Sequence, residues 1–106
     1  KEKLHDLMEV KELFRKKDLH IADVALQTGS NRTYISNYIN KELHLSFTDY
    51  INQYRISYAQ SLMRDPDNTH SLMQISELSG FANEVTFYRN FKKATGTTPN
   101  NWLKGK

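Results

Sequence analysis

The chain has 106 residues, a hydrophobic content of 38% and no cysteine. These values suit one compact domain with a modest core, and they exclude a disulfide framework, a thiolate metal site and a cysteine nucleophile. The formal net charge of +3 is mildly basic and favours a nucleic-acid partner only weakly. The chain begins with Lys1 rather than Met, so we expect it to be part of a longer protein.

A helical pattern dominates the chain from its first residues. Four apolar positions recur at a spacing of three or four and predict a single amphipathic helix; they are Leu4, Leu7, Met8 and Phe14. Strand-like alternation is hard to find in any segment. The predicted fold class is therefore all-α, with no sheet.

The longest uninterrupted helical pattern runs from about residue 47 to residue 64. Ser46 can cap its start, and Pro66 should end it. Its apolar positions lie roughly along one face; they are Tyr50, Ile51, Tyr54, Tyr58 and Leu62. We interpret this segment as a long linker helix between two halves of the chain, followed by a loop over residues 65–70.

The two halves repeat each other, with residues 21–51 matching residues 72–103 apart from one extra residue just after the second glycine. The register pairs Gly29 with Gly80, Ile35 with Phe87, Ile39 with Phe91, and Tyr50 with Trp102. Two copies are too few for a solenoid. The repeat instead indicates one motif, duplicated around a central helix.

The first copy carries the pattern of a helix-turn-helix over about residues 20–43. Ala25 is small enough for a second helix to cross close to it, and Gly29 can adopt the positive φ that a tight turn needs. Asn31 can then cap a helix on which Ile35 and Ile39 point back at the first helix. These offsets are typical of a helix-turn-helix.

The second copy repeats this pattern over about residues 71–94. Ser71 and Gln74 can form a capping box, Ser76 takes the small position and Gly80 makes the turn. The cap of its second helix and the inward-facing positions follow in register; they are Asn83, Phe87 and Phe91. Two such patterns in one chain are far more specific than one.

The second helix of each motif has a polar stripe opposite its apolar face. We place the buried positions of the first at Ile35, Tyr38, Ile39 and Leu43. The opposite stripe, whose short or forked polar groups can hydrogen-bond to base edges in a major groove, supplies the predicted base-reading residues Arg32, Thr33, Ser36 and Asn37. In the second motif the predicted base-reading residues are Glu84, Val85, Tyr88 and Arg89.

Positive charge is concentrated near the end of the chain, where residues 85–106 contain five bases and no acid. Arg89 can make a bidentate contact to guanine, Glu84 can accept from a cytosine amine, and Val85 can pack on a thymine methyl. Other bases and helix N-termini would contact the backbone. The predicted phosphate contacts are Asn40, Lys41, Ser71, Lys92, Lys93 and Thr98.

These residues make a family resemblance visible. The strongest segments are Gly80–Phe81 followed by FYRNFKKATGTTPNNW (residues 87–102), together with IADVALQTG and YISNYINKEL. They resemble the DNA-binding domain of AraC/XylS-type transcription regulators, and NRTYISNYIN followed by FTDYINQYRI is similar to the form in Bacteroidetes. The resemblance implies about seven helices and two helix-turn-helix subdomains on a long linker helix. Each subdomain would insert a recognition helix into one of two neighbouring major-groove segments, with the same eight residues reading bases.

The resemblance also implies partners and a setting. It implies a missing N-terminal sensor or dimerisation domain and RNA polymerase as a partner of the full-length regulator. We expect an activator, with repression as the open alternative. We expect this fragment to be monomeric and to need no cofactor or metal. We expect a cytoplasmic, nucleoid-associated protein whose full-length form could be tethered to a membrane sensor. The chain departs from the family at His44, where a glycine is usual, and His can tolerate the left-handed conformation.

The residues alone leave a second class of function open, that of a protein-interaction module. A helical docking module for another protein, such as a kinase or a polymerase subunit, would have the same helical content. Such a module should carry an exposed apolar stripe, whereas the stripes described above are polar. Enzyme activity is a distant third, because no nucleophile–base or carboxylate constellation is present.

Overall fold

The computed structural model describes residues 2–105, a range that contains seven α-helices, one 3₁₀ turn and no strand. The elements are α1 (Glu2–Glu9), the 3₁₀ turn (Leu13–Arg15), α2 (Ile21–Thr28), α3 (Arg32–Glu42), α4 (Phe47–Arg64), α5 (Leu72–Ser79), α6 (Glu84–Thr95) and α7 (Pro99–Lys104). The predicted all-α fold is confirmed. Lys106, one of the five C-terminal bases, lies outside the described residues.

The predicted single N-terminal helix is wrong. α1 ends at Glu9, and Phe14 belongs to the separate 3₁₀ turn. The chain reverses through Glu12, whose φ of 54° is left-handed. This break lets Phe14 leave the axis of α1 and stack on Tyr54 of α4, with 5.7 Å between the ring centroids. Tertiary packing therefore overrides the helical spacing of the sequence.

Both predicted tight turns are present and have the same geometry. Gly29 has a φ of 71°, and the N–H of the residue after it donates to the Ala25 carbonyl at 2.9 Å. Gly80 has a φ of 101°, and the next N–H donates to the Ser76 carbonyl at 3.1 Å. Ala25 and Ser76 are both buried, so each allows the close helix crossing that was predicted.

The end of α3 differs in part from the expectation. His44 adopts a left-handed φ of 58°, as its place after the recognition helix requires. Leu43, predicted to be buried, is 37% exposed, because α3 ends at Glu42 and Leu45 takes the packing position against the core. Tyr38 is half-buried rather than buried.

α4 serves two cores rather than presenting one apolar face. Its N-terminal half gives Tyr50 and Ile51 to a core with α1, α2 and α3. Its C-terminal half gives Ile56, Ala59 and Met63 to a core with α5 and α6. Tyr54 and Tyr58 also pack against the first core, so the predicted face is present but incomplete, because a second buried face of α4 was not predicted. α4 thus holds the two helix-turn-helix units on different sides of one rod.

Candidate nucleic-acid interface

The predicted stripe of α3 forms one continuous surface. Arg32, Thr33, Ser36 and Asn37 line a single open concavity of about 430 Å³ together with Ile21 of α2. Three of the four polar side chains are exposed, and Ser36 is half-buried. The start of α3 is fixed by Asn31, whose side chain accepts from the Tyr34 N–H at 2.8 Å. The stripe therefore lies on the first two turns of a capped helix.

The corresponding stripe of α6 is exposed at two of its four positions. Val85 is 71% exposed and Arg89 is exposed, whereas Glu84 and Tyr88 are half-buried. Tyr88 packs against Phe87, with 5.7 Å between the ring centroids. Partial burial, with a smaller contribution from the Glu84 charge, raises the pKa of Tyr88. The Tyr88 hydroxyl, protonated at neutral pH as in any tyrosine, also hydrogen-bonds the Glu84 side chain, so the two residues act as a pair.

The predicted phosphate contacts divide into bases and helix starts. Lys41 and Lys92 are exposed in the last turns of α3 and α6. Ser71 and Thr98 cap the N-termini of α5 and α7, although α7 begins with Pro99, which has no N–H to offer. Asn40 donates to the Ser36 hydroxyl at 3.3 Å and so borders the α3 stripe.

Lys93 differs from the other bases. Its Nζ lies 3.4 Å from a carboxylate oxygen of Asp49, in the first turn of α4. Both side chains are well exposed, so solvent screens the pair and its contribution to stability is small. Any phosphate contact by Lys93 would nevertheless have to compete with a nearby negative charge.

Sequence reasoning missed a polar network between α4 and α6. Arg55 donates to the side-chain oxygen of Asn52 at 3.3 Å, and Asn52 donates to the side-chain oxygen of Asn90 at 3.2 Å. Arg55 also donates to the carbonyls of Phe14 at 2.7 Å and Lys16 at 2.9 Å. The available signal was an arginine between Tyr54 and Ile56, in the middle of a helix that packs on both sides.

Exposed apolar residues are dispersed. Large ones occur on different segments, and the most exposed are Val10, Leu26, Tyr34, Met73 and Val85. Each lies on its own helix or loop, so no apolar stripe of the kind expected for a docking helix runs along α3 or α6. Residues 2–105 also contain no cluster of three side chains able to hold a metal ion. In the same range, none of the helices has the length and apolar character needed to cross a bilayer.

Comparison with known proteins agrees with this geometry. The helix-turn-helix domain family matches residues 24–105. YtdP, an HTH-type transcriptional regulator of Bacillus subtilis, is 32% identical over 89 residues, which are 84% of this chain and 11% of that protein. The chain spans 11% to 30% of the length of the first curated relatives that it matches.

Two solved structures share the fold. A probable AraC family transcriptional regulator from Rhodopseudomonas palustris has a TM-score of 0.78 at 18% identity, covering 98% of this chain and 96% of that one. The DNA-binding domain of AdpA, a global transcriptional factor, was solved with a target DNA; its TM-score is 0.81 at 14% identity, covering 97% and 91%. Together with the family match, the two capped recognition helices identify this chain as a member of the AraC-type family of helix-turn-helix DNA-binding domains of transcription regulators.

Proposed function

We propose that the chain reads duplex DNA with eight side chains on two recognition helices. α3 would use Arg32, Thr33, Ser36 and Asn37, and α6 would use Glu84, Val85, Tyr88 and Arg89. The observation that supports this most directly is the shared concavity of the four α3 residues, together with the exposure of Val85 and Arg89. A B-DNA major groove is wide enough to admit one such helix.

The two helices would read DNA by different chemistry. Arg32 is the only base among the four α3 residues, so α3 would depend on hydrogen bonds, with Asn37 suited to an adenine edge. On α6, Arg89 would make a bidentate contact to guanine, Glu84 would accept from a cytosine amine and Val85 would contact a thymine methyl. Tyr88 would donate through its protonated hydroxyl.

Backbone contacts would set the position of both helices without reading sequence. The predicted set is Asn40, Lys41, Ser71, Lys92, Lys93 and Thr98. Ser71 would lie beside the N–H groups at the start of α5, Thr98 would contact phosphate at the start of α7, and the lysines would supply charge. We expect this fragment to bind as a monomer, because its two motifs already supply two reading units.

The role of the longer protein is also part of the proposal. We propose a cytoplasmic, nucleoid-associated activator that contacts RNA polymerase and carries a sensor or dimerisation domain outside this chain. A tether to a membrane sensor is a further arrangement that such a regulator could have. The names of the relatives, among them regulators of the Msm and melibiose operons, support transcriptional control as the common theme.

Site selection from a random duplex library tests the reading proposal. We expect two conserved blocks whose centres lie about one helical turn, or roughly 10 base pairs, apart. Binding to the selected duplex should also weaken steeply between low and physiological salt, because phosphate contacts release counterions. A library that returns no preferred sequence, or binding that is indifferent to salt, would favour the protein-docking alternative instead.

A further inference from the structure

The position of α6 against α4 depends on side-chain amides as well as on apolar packing. An open cleft of about 200 Å³ lies between these helices, and Asn52, Ile56 and Asn90 are among the residues that line it. Phe87 and Phe91 pack α6 against α4 in the second core, and the cleft marks the part of the interface that apolar side chains do not fill. Two polar links cross the gap: the half-buried 3.2 Å hydrogen bond from Asn52 to Asn90, and the exposed Lys93–Asp49 pair at 3.4 Å, which solvent screens.

Each amide in this link is oriented by a second bond. Asn90 donates its amide N–H to the Thr86 carbonyl one turn earlier at 2.9 Å, so its oxygen is directed at Asn52. Arg55 donates to the oxygen of Asn52, so the amide N–H of Asn52 is directed at Asn90. Reversing either amide would place two donors or two acceptors in contact. Only one orientation of each amide therefore satisfies all the hydrogen bonds of the link.

The far end of the network is anchored to the N-terminal segment. Arg55 is partly buried and donates to the carbonyls of Phe14 and Lys16, while its guanidinium carbon lies 5.9 Å from the ring centroid of Phe81. Burial lowers the pKa of Arg55, but the group stays charged at neutral pH, and charge-assisted bonds of this kind are strong. The Arg55–Asn52–Asn90 network thus connects the 3₁₀ turn, α4 and the second recognition helix.

We propose that the Arg55–Asn52–Asn90 network sets the distance between the two recognition helices, and so determines which spacing between DNA subsites the chain accepts. α3 is held on α4 through the first apolar core, and α6 is held on α4 through this network as well as the second core. Asn52 and Asn90 are positioning residues in this account, since they act through α6 and touch no base. The inference rests on the proposed reading of DNA by α3 and α6.

The experiment measures spacing preference and affinity separately. Duplexes carry the two selected subsites at the selected spacing, or with one base pair added or removed, and a further duplex has one subsite scrambled. Kd is measured for the parent chain and for Asn90→Ala, Asn52→Ala and the double variant. Gln53→Ala is the matched control, because Gln53 is an exposed neighbour on α4 that borders the same cleft.

We expect both single variants to reduce the discrimination between spacings by about two- to tenfold, the equivalent of one hydrogen bond. Their Kd for the duplex with one intact subsite should match that of the parent. The double variant should lose no more than either single variant, because both remove the same bond. Gln53→Ala should behave as the parent does.

Other outcomes overturn the inference. Discrimination that survives in both variants, or affinity that falls by the same factor on every duplex, would show that the network is only structural. A parent chain that binds all spacings equally would also overturn it, while leaving sequence-specific reading intact. A parent chain with no sequence preference would contradict the proposed function itself. If Asn90→Ala loses its helical circular dichroism signal, the test rests on Asn52→Ala, which removes the same hydrogen bond from the α4 side and leaves α6 unchanged in sequence.

Discussion

The two helix-turn-helix motifs share a turn but differ in what lies behind it. A Cβ added at Gly80 would lie 2.5 Å from the carbonyl oxygen of Phe14 and 2.8 Å from the Cα of Arg15. A Cβ added at Gly29 would meet no atom within 4 Å. The first glycine is therefore needed for its φ alone, whereas the second is needed for its φ and for a close backbone approach. The same sequence signal has two different physical origins.

The largest expected effect follows from that difference. Gly80→Ala should cost about 3 kcal/mol or more, since the 3₁₀ turn has to move as well as the backbone of the tight turn. Gly29→Ala should cost about 1 kcal/mol, the strain of a left-handed alanine. Urea denaturation of both variants measures the free energies of unfolding. Gly96→Ala is the matched control, because Gly96 has a φ of 82° and open space around it. Equal losses in all three variants would contradict the comparison.

A second prediction separates the two motifs on DNA. Arg89→Ala should relax the preference at one position of one subsite and cost roughly 1–3 kcal/mol there. Asn37→Ala should relax the other subsite only, and the two losses should add because the residues are far apart. Site selection with each variant measures this. If Arg89→Ala weakens all sequences uniformly, Arg89 contacts phosphate; if Asn37→Ala has no effect, only the second motif reads bases.

A third, smaller effect distinguishes two neighbouring lysines of α6. Lys92→Ala should weaken binding to all sequences and reduce the slope of log K against log salt by about 0.9, the value for one lost phosphate contact. Lys93→Ala should reduce that slope by less, because Lys93 is 3.4 Å from Asp49. A salt titration of both variants gives the slopes. The opposite order would show that the ion pair opens on DNA.

The smallest effect concerns the caps of the first helix in each motif. At α2 the Asp23 carboxylate accepts from the His20 N–H at 2.9 Å, whereas at α5 the neutral Gln74 side chain accepts from the Ser71 N–H. The His20 bond, with a smaller contribution from Lys16, lowers the pKa of Asp23 below 3.8. Its stabilisation is therefore present at neutral pH and lost as the pH falls through that lowered pKa.

Asp23→Asn tests this pH dependence, because it removes the charge and keeps an acceptor. The parent should be more stable than the variant at neutral pH, and the difference should close in strong acid. Thermal unfolding across the pH range measures it. Gln74→Ala is the control. Because the Gln74 side chain is neutral, the stability that this variant loses should not depend on pH in the acid range. A difference between parent and Asp23→Asn that stays constant from neutral pH into strong acid would contradict the assignment.

Local signals in the sequence were sufficient for much of the fold. Gly29, Gly80 and the N-cap residues follow rules that involve neighbours within a few positions, and each is found where predicted. The stripe of α3 was predicted for the same reason, since helical periodicity alone determines which residues share a face. The prediction of the fold class succeeded because these local preferences agree with each other.

The features that sequence reasoning missed depend on distant contacts. The close approach of Phe14 to Gly80 joins residues about 65 positions apart. The break after α1 allows this approach, and helical periodicity in the sequence predicts neither feature. The hydrogen bonds of Arg55 likewise reach 39 to 41 positions back along the chain. An arginine in the middle of a packed helix indicates that its guanidinium has a hydrogen-bond acceptor, but the sequence does not say which residue provides it. Only the packed structure supplies that partner.

The 3₁₀ turn also affects how the chain can be cut into its two helix-turn-helix motifs. Arg15 donates to the Leu78 carbonyl of α5 at 2.8 Å, and its guanidinium carbon lies 4.7 Å from the ring centroid of Tyr58. A segment that precedes the first motif in the chain thus supports the second motif in space. Although the two copies repeat one sequence motif, we expect the second to be less stable without this segment. A chain shortened to begin at Asp18 would keep both copies intact, yet its second copy would lose support, and gene fusions that exchange single copies would have to carry this segment with the second.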